Sequence, residues 1–525
     1  MSLRSSSRTS SVRSRLLAED PAFTAASAAF QRADYDACRS LLELSKPESP
    51  SGIARRDLLV ARLARIRGDV DVWYAAASNA ARYEGSPGDR LTALALRALA
   101  ARRLGKAPEA DRLMSDVYAA VIAAGSAGDP HPAYLCALDA WEERDFDRAE
   151  RLARANLRRH PGDAANLSLL GWVAVKKERY REAGTYFMRA LARLRALGEF
   201  ELRSYARFVH AASVVACETA DVPMGRKVRR AFEALAWPQS LRVERFNTLT
   251  NLRLLALIEG NLEAAWLAAR DAVSCAPNNA YAAIGETNAA VVTRLCGDEY
   301  TAALQMARAW EILRKVRWSE SDAEERVALT NFACEAARTM PVEARKALVL
   351  YVSLSGKANR ANSLEKDRRI AASESWAAGR VAAAMGEREA SVLHYGRALA
   401  VWQELGFTTR AAAVALDLYR ITRRSALKAP IAALTALAPN AWVTRSARTS
   451  DGPLGLLRPA QRKVLAGILR GDSAKVIAAD LDRSPYTVVN HTRRIFAAFG
   501  VRRRADLRAL CLKNGITSES LLADS

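Results

Sequence analysis

Arg, Asp or Glu interrupts every Ala- and Leu-rich run of this chain before it reaches 18 apolar residues. The pattern therefore predicts amphipathic helices throughout and no membrane span. Near the C-terminus the helix limits can be read residue by residue. Pro459 suits a first helical position, and "PAQRKVLAGILRG" puts Val464, Leu465, Ile468 and Leu469 on one face before Gly471 stops the helix. Ser473 is placed to cap "SAKVIAADL", with Val476, Ile477 and Leu481 inward. Ser484 caps and Pro485 opens a third helix, whose apolar stripe is Val488, His491 or Thr492, Ile495 and Phe499, and Gly500 closes it. A fourth, "RADLRALCLKNG", turns Leu507, Leu510 and Cys511 inward and stops at Gly515.

Upstream, the pattern repeats itself. Ala137 matches Gly171 and Ala149 matches Ala183, both 34 residues apart, with Phe187 and Ala190 following and Pro161 ending a second helix. "LIEGNLEAAWLAARDAVSCAPN" supplies another copy through Gly260, Ala265 and Pro277, and "MGEREASVLHYGRALAVW" one through Gly386, Tyr395 and Ala398. Weaker copies follow "RADYDACRSLLEL", "RLGKAPEADRLM" and "RIRGDVDVW". A 34-residue period with small residues where two helices cross resembles tetratricopeptide repeats, and implies a superhelix of helical hairpins with a concave binding face. The tryptophans of this region, Trp73, Trp141, Trp172, Trp266, Trp310, Trp318, Trp376 and Trp402, are read as space fillers between repeats rather than as a groove. Residues 441–456, "AWVTRSARTSDGPLGL", break the helical pattern and are read as a linker.

Charge changes the picture at the C-terminal end. The chain of 525 residues has a formal net charge of +22, which favours a polyanionic partner. Residues 456–516 alone carry thirteen Lys/Arg against four Asp/Glu. Two short helices joined by a four-residue turn, the second basic on its outer side, form a helix-turn-helix. With the apolar stripe inward, Tyr486, Val489, Asn490, Arg493, Arg494 and Ala497 face out. Asn490 suits the edge of adenine, Arg493 that of guanine and Val489 a thymine methyl. Lys475, Thr487, Arg494 and Arg504 suit phosphates, which position the module without specifying sequence.

The order of residues from Leu457 and Pro459 through Gly471, Ser473, Lys475, Ile477 and Ala478 to Ser484, Thr487, Val488, Asn490, His491, Ile495, Gly500, Val501, Arg504, Ala505 and Leu507 resembles the LuxR-type helix-turn-helix domain. That resemblance implies a four-helix module that binds double-stranded DNA as a homodimer, with the last helix helping the pair form, and that reads inverted repeats. It departs from the family at Gln461 and Lys463, where acidic residues are usual, at Val476, and at Val489, where lysine is frequent.

The remaining features exclude more than they assign. Seven cysteines stand far apart without a C-x-x-C pair, against a disulfide framework or zinc knuckle and consistent with a reducing cytoplasm. No phosphate-binding G-x-x-x-x-G-K-[ST] loop, paired-carboxylate receiver pattern or Ser-His-Asp set is found. No cofactor, metal or catalytic residue is therefore expected, and the chain reads as a non-enzyme. The expected architecture is all-α: a basic disordered arm over 1–17, a tetratricopeptide-like array over 18–440, the linker, a LuxR-type helix-turn-helix domain over 457–516 and a tail over 517–525. The expected function is a cytoplasmic transcription regulator in which the array takes an unknown protein or small-molecule effector, with RNA polymerase as a candidate further partner. The rival reading is a repeat adaptor whose DNA contact is secondary or lost.

Overall fold

The computed structural model describes residues 20–521 apart from 84, 126–127, 198–200, 320, 362–367, 451–453, 455–456, 458, 514–515 and 519–520. The basic arm, the Gly515 helix stop, part of the linker and most of the tail lie outside the described residues. Among those described there is no strand, and no helix is long and apolar enough to cross a membrane.

Among the described residues, twenty-two helices pair as eleven consecutive hairpins. They are α1 (Pro21–Gln31) with α2 (Tyr35–Leu44), α3 (Pro50–Arg67) with α4 (Val70–Ala80), α5 (Pro87–Arg103) with α6 (Ala107–Ala124), and α7 (Pro130–Glu142) with α8 (Phe146–Arg159). Next come α9 (Ala164–Lys176) with α10 (Tyr180–Leu197), α11 (Leu202–Thr219) with α12 (Val222–Glu233), α13 (Arg242–Glu259) with α14 (Leu262–Ser274), and α15 (Asn279–Leu295) with α16 (Glu299–Leu313). The last three are α17 (Ala323–Ala336) with α18 (Pro341–Ala361), α19 (Arg368–Ala384) with α20 (Arg388–Glu404), and α21 (Thr408–Thr422) with α22 (Lys428–Leu437).

A single turn chemistry recurs. In six hairpins the first helix runs into a residue with positive φ (Ala33, Gly68, Arg144, Ala220, Gly260 or Gly297). The next residue (Asp34, Asp69, Asp145, Asp221, Asn261 or Asp298) caps the second helix by accepting from the backbone N–H three residues on. The left-handed residue reverses the chain and the side-chain cap restarts it, so each unit is defined within two positions. The crossing of the two helices needs small residues. A Cβ built on Gly171 would stand 2.6 Å from the Phe187 ring, and one on Gly379 would stand 2.6 Å from the Tyr395 ring. These two glycines let an aromatic from the second helix pack straight onto the backbone of the first, which is the packing expected from the 34-residue spacing.

The array winds back on itself. α1 to α3 share a core with Ala206 of α11 and with Leu241, and at the other end α21 packs on α11. There the Thr409 hydroxyl donates to the Cys217 carbonyl at 2.8 Å, and Arg410 pairs with Glu218 at 2.8 Å. The expected helical break after 440 begins later in the chain: Trp442–Ser450 forms a helix, α23, that packs on α13, α21 and α22. Its polar composition hid it: among its described side chains, Val443 and Thr444 are the buried ones. The tryptophans divide. Trp73, Trp376 and Trp402 are buried, whereas Trp266 is 41% exposed and lies under the Arg270 guanidinium.

The C-terminal helices α24 (Pro459–Arg470), α25 (Ala474–Asp480), α26 (Pro485–Phe499) and α27 (Arg504–Lys513) form a separate core with Leu457 and Leu521.

Candidate nucleic-acid interface

The module is held together from its inner faces. Val464, Leu465 and Ile468 of α24, Ile477 and Ala478 of α25, Val488, Ile495 and Phe499 of α26, and Leu507 and Cys511 of α27 are buried together. Gly467 permits the close crossing of the first two helices, since a Cβ there would stand 2.6 Å from Ile477. Val476 differs from expectation. It is 47% exposed, because α25 turns Ile477 and Ala478 into the core and leaves its neighbour on the outside.

Caps set the pose of the two central helices. Ser473 accepts from the Val476 N–H at 3.3 Å, and Ser484 accepts from the Thr487 N–H at 3.1 Å. Between them Asp482 takes φ +49°, a left-handed conformation that Asp tolerates better than most side chains. Gly500, with φ +65°, ends α26. The thiol of Cys511 is pushed up by burial, so it is inert packing.

The outer face of α26 carries the residues expected there. Tyr486, Val489, Arg493, Arg494 and Ala497 are exposed, and Asn490 is half-buried. Lys475 is exposed on the first turn of α25. Thr487 is half-buried and shares a 2.9 Å hydroxyl contact with Ser484. Arg504 is placed differently from the others: it is half-buried, and its Nη1 donates to the Asp472 carbonyl at 2.9 Å, tying the start of α27 to the turn after α24. Arg502 and Arg503, its neighbours in the same basic run, are exposed, as is Arg483 in the turn. The run of three arginines was the sequence signal for them.

Charge is unevenly spent across the module. Asp472 and Asp480 both pair with Arg470, at 2.9 and 3.3 Å. Among the described residues no carboxylate pairs with Lys475, Arg483, Arg493, Arg494, Arg502 or Arg503. The face that includes α26 is thus cationic, and the helix behind it is capped at both ends.

This is a helix-turn-helix domain behind a tetratricopeptide-like array. Residues 456–510 match the family described as GerE, bacterial regulatory proteins, luxR family. No curated protein matches the chain. Over the repeats the chain is similar to solved helical structures. One is a Rap protein complexed with Competence and Sporulation Factor (10% identity, 76% of this chain and 99% of that chain, TM-score 0.46). A second is the apo form of the quorum sensor NprR from B. thuringiensis (10% identity, 76% and 97%, TM-score 0.39). A third is YrrB, a TPR protein with an unusual peptide-binding site (18% identity, 36% and 88%, TM-score 0.28).

Proposed function

We propose that the chain is a sequence-specific, DNA-binding transcriptional regulator, dimeric on DNA, in which the helical array receives an effector and controls the C-terminal reader. The observation that carries this reading is the set of unpaired cations around the exposed ridge of α26, beside acids already committed to Arg470. Lys475 and Arg494, with Arg483, Arg502 and Arg503, are assigned to phosphates. Val489, Asn490 and Arg493 are assigned to base edges. Thr487 and Arg504 act at the rim, each held by a hydrogen bond inside the module. Leu512, 80% exposed on α27, is the apolar residue available to a second copy.

The test is selection from a randomised DNA pool by the full chain across a salt series. An enriched inverted repeat is expected. Arg493→Ala should relax preference at one base pair by about 1–3 kcal/mol, while Arg494→Ala should weaken all sequences alike and lower the salt slope by about one. Equal, salt-labile binding to every sequence would reject the sequence-reading function and leave the repeat adaptor as the better description.

A further inference from the structure

Six first helices, α11, α13, α15, α17, α19 and α21, form a circuit: successive members pack on one another from α11 to α19, Arg380 and Trp376 of α19 reach Asp417 of α21, and α21 meets α11. A linked set of charges runs along much of it. Arg294 of α15 lies 3.7 Å from Glu335 of α17. Arg380 of α19 bonds Glu335 at 3.0 Å and Asp417 of α21 at 2.8 Å, and Asp417 also accepts from the Trp376 indole at 3.0 Å. Arg410 of α21 holds Glu218 of α11. Although burial opposes their charge, Arg380 and Arg410 are raised by Asp417 and Glu218 respectively.

The contribution of α13 is different. Arg253 lies within electrostatic reach of Glu335, Arg410 and the Cys217 thiol, yet no described residue forms an ion pair or hydrogen bond with it, and its Nε is sealed from water without a partner. Burial pushes this guanidinium down to about 10, with Glu335 drawing it up and Arg410 pressing it down. The acid that acts on it, Glu335, is already shared by Arg294 and Arg380. With Arg420, which lies 3.6 Å from Asp417, this set holds five guanidiniums against three carboxylates.

Independent of that charge, polar atoms recur at one register. Ala220, Gly260 and Gly297 are the left-handed residues that follow α11, α13 and α15. Ten residues before each stand His210, Thr250 and Thr287. His210 Nδ1, Thr250 Oγ1 and Thr287 Oγ1 are all buried without a hydrogen-bond partner. Buried polar groups are nearly always satisfied, so three orphans at equivalent places on successive first helices, with Arg253 one turn on from the middle one, leave polar capacity that a ligand could satisfy.

We propose that Arg253, with Thr250 and the flanking His210 and Thr287, binds the carboxylate of a ligand inside this circuit. The inference rests on the reading of the array as the effector-receiving part of the regulator. A guanidinium takes a carboxylate through two parallel N–H···O bonds. The cationic excess favours an anion, and Glu335, which acts on Arg253, favours a singly charged carboxylate over a doubly charged phosphate. A free organic acid and the carboxyl terminus of a peptide share this chemistry.

The experiment is binding to the full-length chain of acetate, succinate, and tri-alanine with a free or an amidated carboxyl end, each against chloride at equal ionic strength, followed by thermal shift and calorimetry. Saturable binding of a carboxylate over chloride is expected. It should weaken at least tenfold in Arg253→Met, and about three- to tenfold in Thr250→Val, which keeps the shape of the side chain. Preference for acetate or succinate identifies a small acid. Preference for free over amidated tri-alanine identifies a peptide terminus. No carboxylate preference in wild type, or equal binding by both variants, overturns the site and assigns Arg253 to balancing Glu335. DNA affinity measured with and without the bound carboxylate separates the two proposals: binding at Arg253 that leaves DNA affinity unchanged upholds the site and rejects effector control.

Discussion

Gly171 carries more of this fold than its size suggests. The Phe187 ring rests where its Cβ would be, so Gly171→Ala forces the ring or the helix crossing to move. The expected cost is about 1–3 kcal/mol, as for other insertions into a packed core, read as a lower urea midpoint at unchanged slope. Gly379→Ala should act likewise against Tyr395, whereas Gly396→Ala, where no atom lies within 4 Å of the added carbon, should be neutral or mildly stabilising. The Gly171 crossing was legible in the sequence because the repeat imposes small and large residues at fixed distances. Arg504 was less legible. Its neighbours Arg502 and Arg503 are the same residue type, and only the three-dimensional approach of Asp472 distinguishes the arginine that braces the module from those left free.

The helices of the C-terminal module were readable from their ends more than from their middles. Ser473, Ser484, Gly471 and Gly500 stand at the observed limits, since caps and left-handed stops are local chemistry that no distant contact needs to supply. Ser484→Ala should therefore cost about 1 kcal/mol, seen as a lower thermal midpoint of the module, and should also weaken DNA binding by letting the first turn of α26, with Tyr486 and Val489, fray. Ser484→Asp should restore the stability but not the binding, because a carboxylate would stand among the cations assigned above to phosphate. Helix α23 was hidden for the opposite reason. Its sequence "WVTRSARTS" offers too few apolar positions for a period, and its place is set by packing on α13 and α21 together with the bond from Arg445 to the Gly260 carbonyl at 3.0 Å. Such contacts join residues 185 apart and leave no local trace.

The winding of the array is likewise invisible to any sequence window, yet it decides the setting of two histidines. His131 on α7 lies near Arg62 and Arg65 of α3, and burial, reinforced by those charges, pushes its imidazole down to about 3. His210 on α11, beside Arg207, is pushed down to about 4, again chiefly by burial. Both are neutral in the folded chain at moderately acid pH, whereas in the unfolded chain they protonate near pH 6.5. Above that pH neither state binds the proton and the two groups contribute nothing to the pH dependence. Below it the unfolded chain takes up protons that the folded chain refuses, so stability falls as pH drops from about 6.5 towards 4. The limiting slope is about 1.4 kcal/mol per pH unit for each histidine, and partial solvent access reduces it. Urea unfolding between pH 7 and 5, above the range where most carboxylates titrate, should show this loss, and His131→Gln with His210→Gln should flatten it. A slope unchanged in the double variant would mean that the histidines are solvated in the native array, and that water reaches the packing of α3 near α7 and the enclosure around α11.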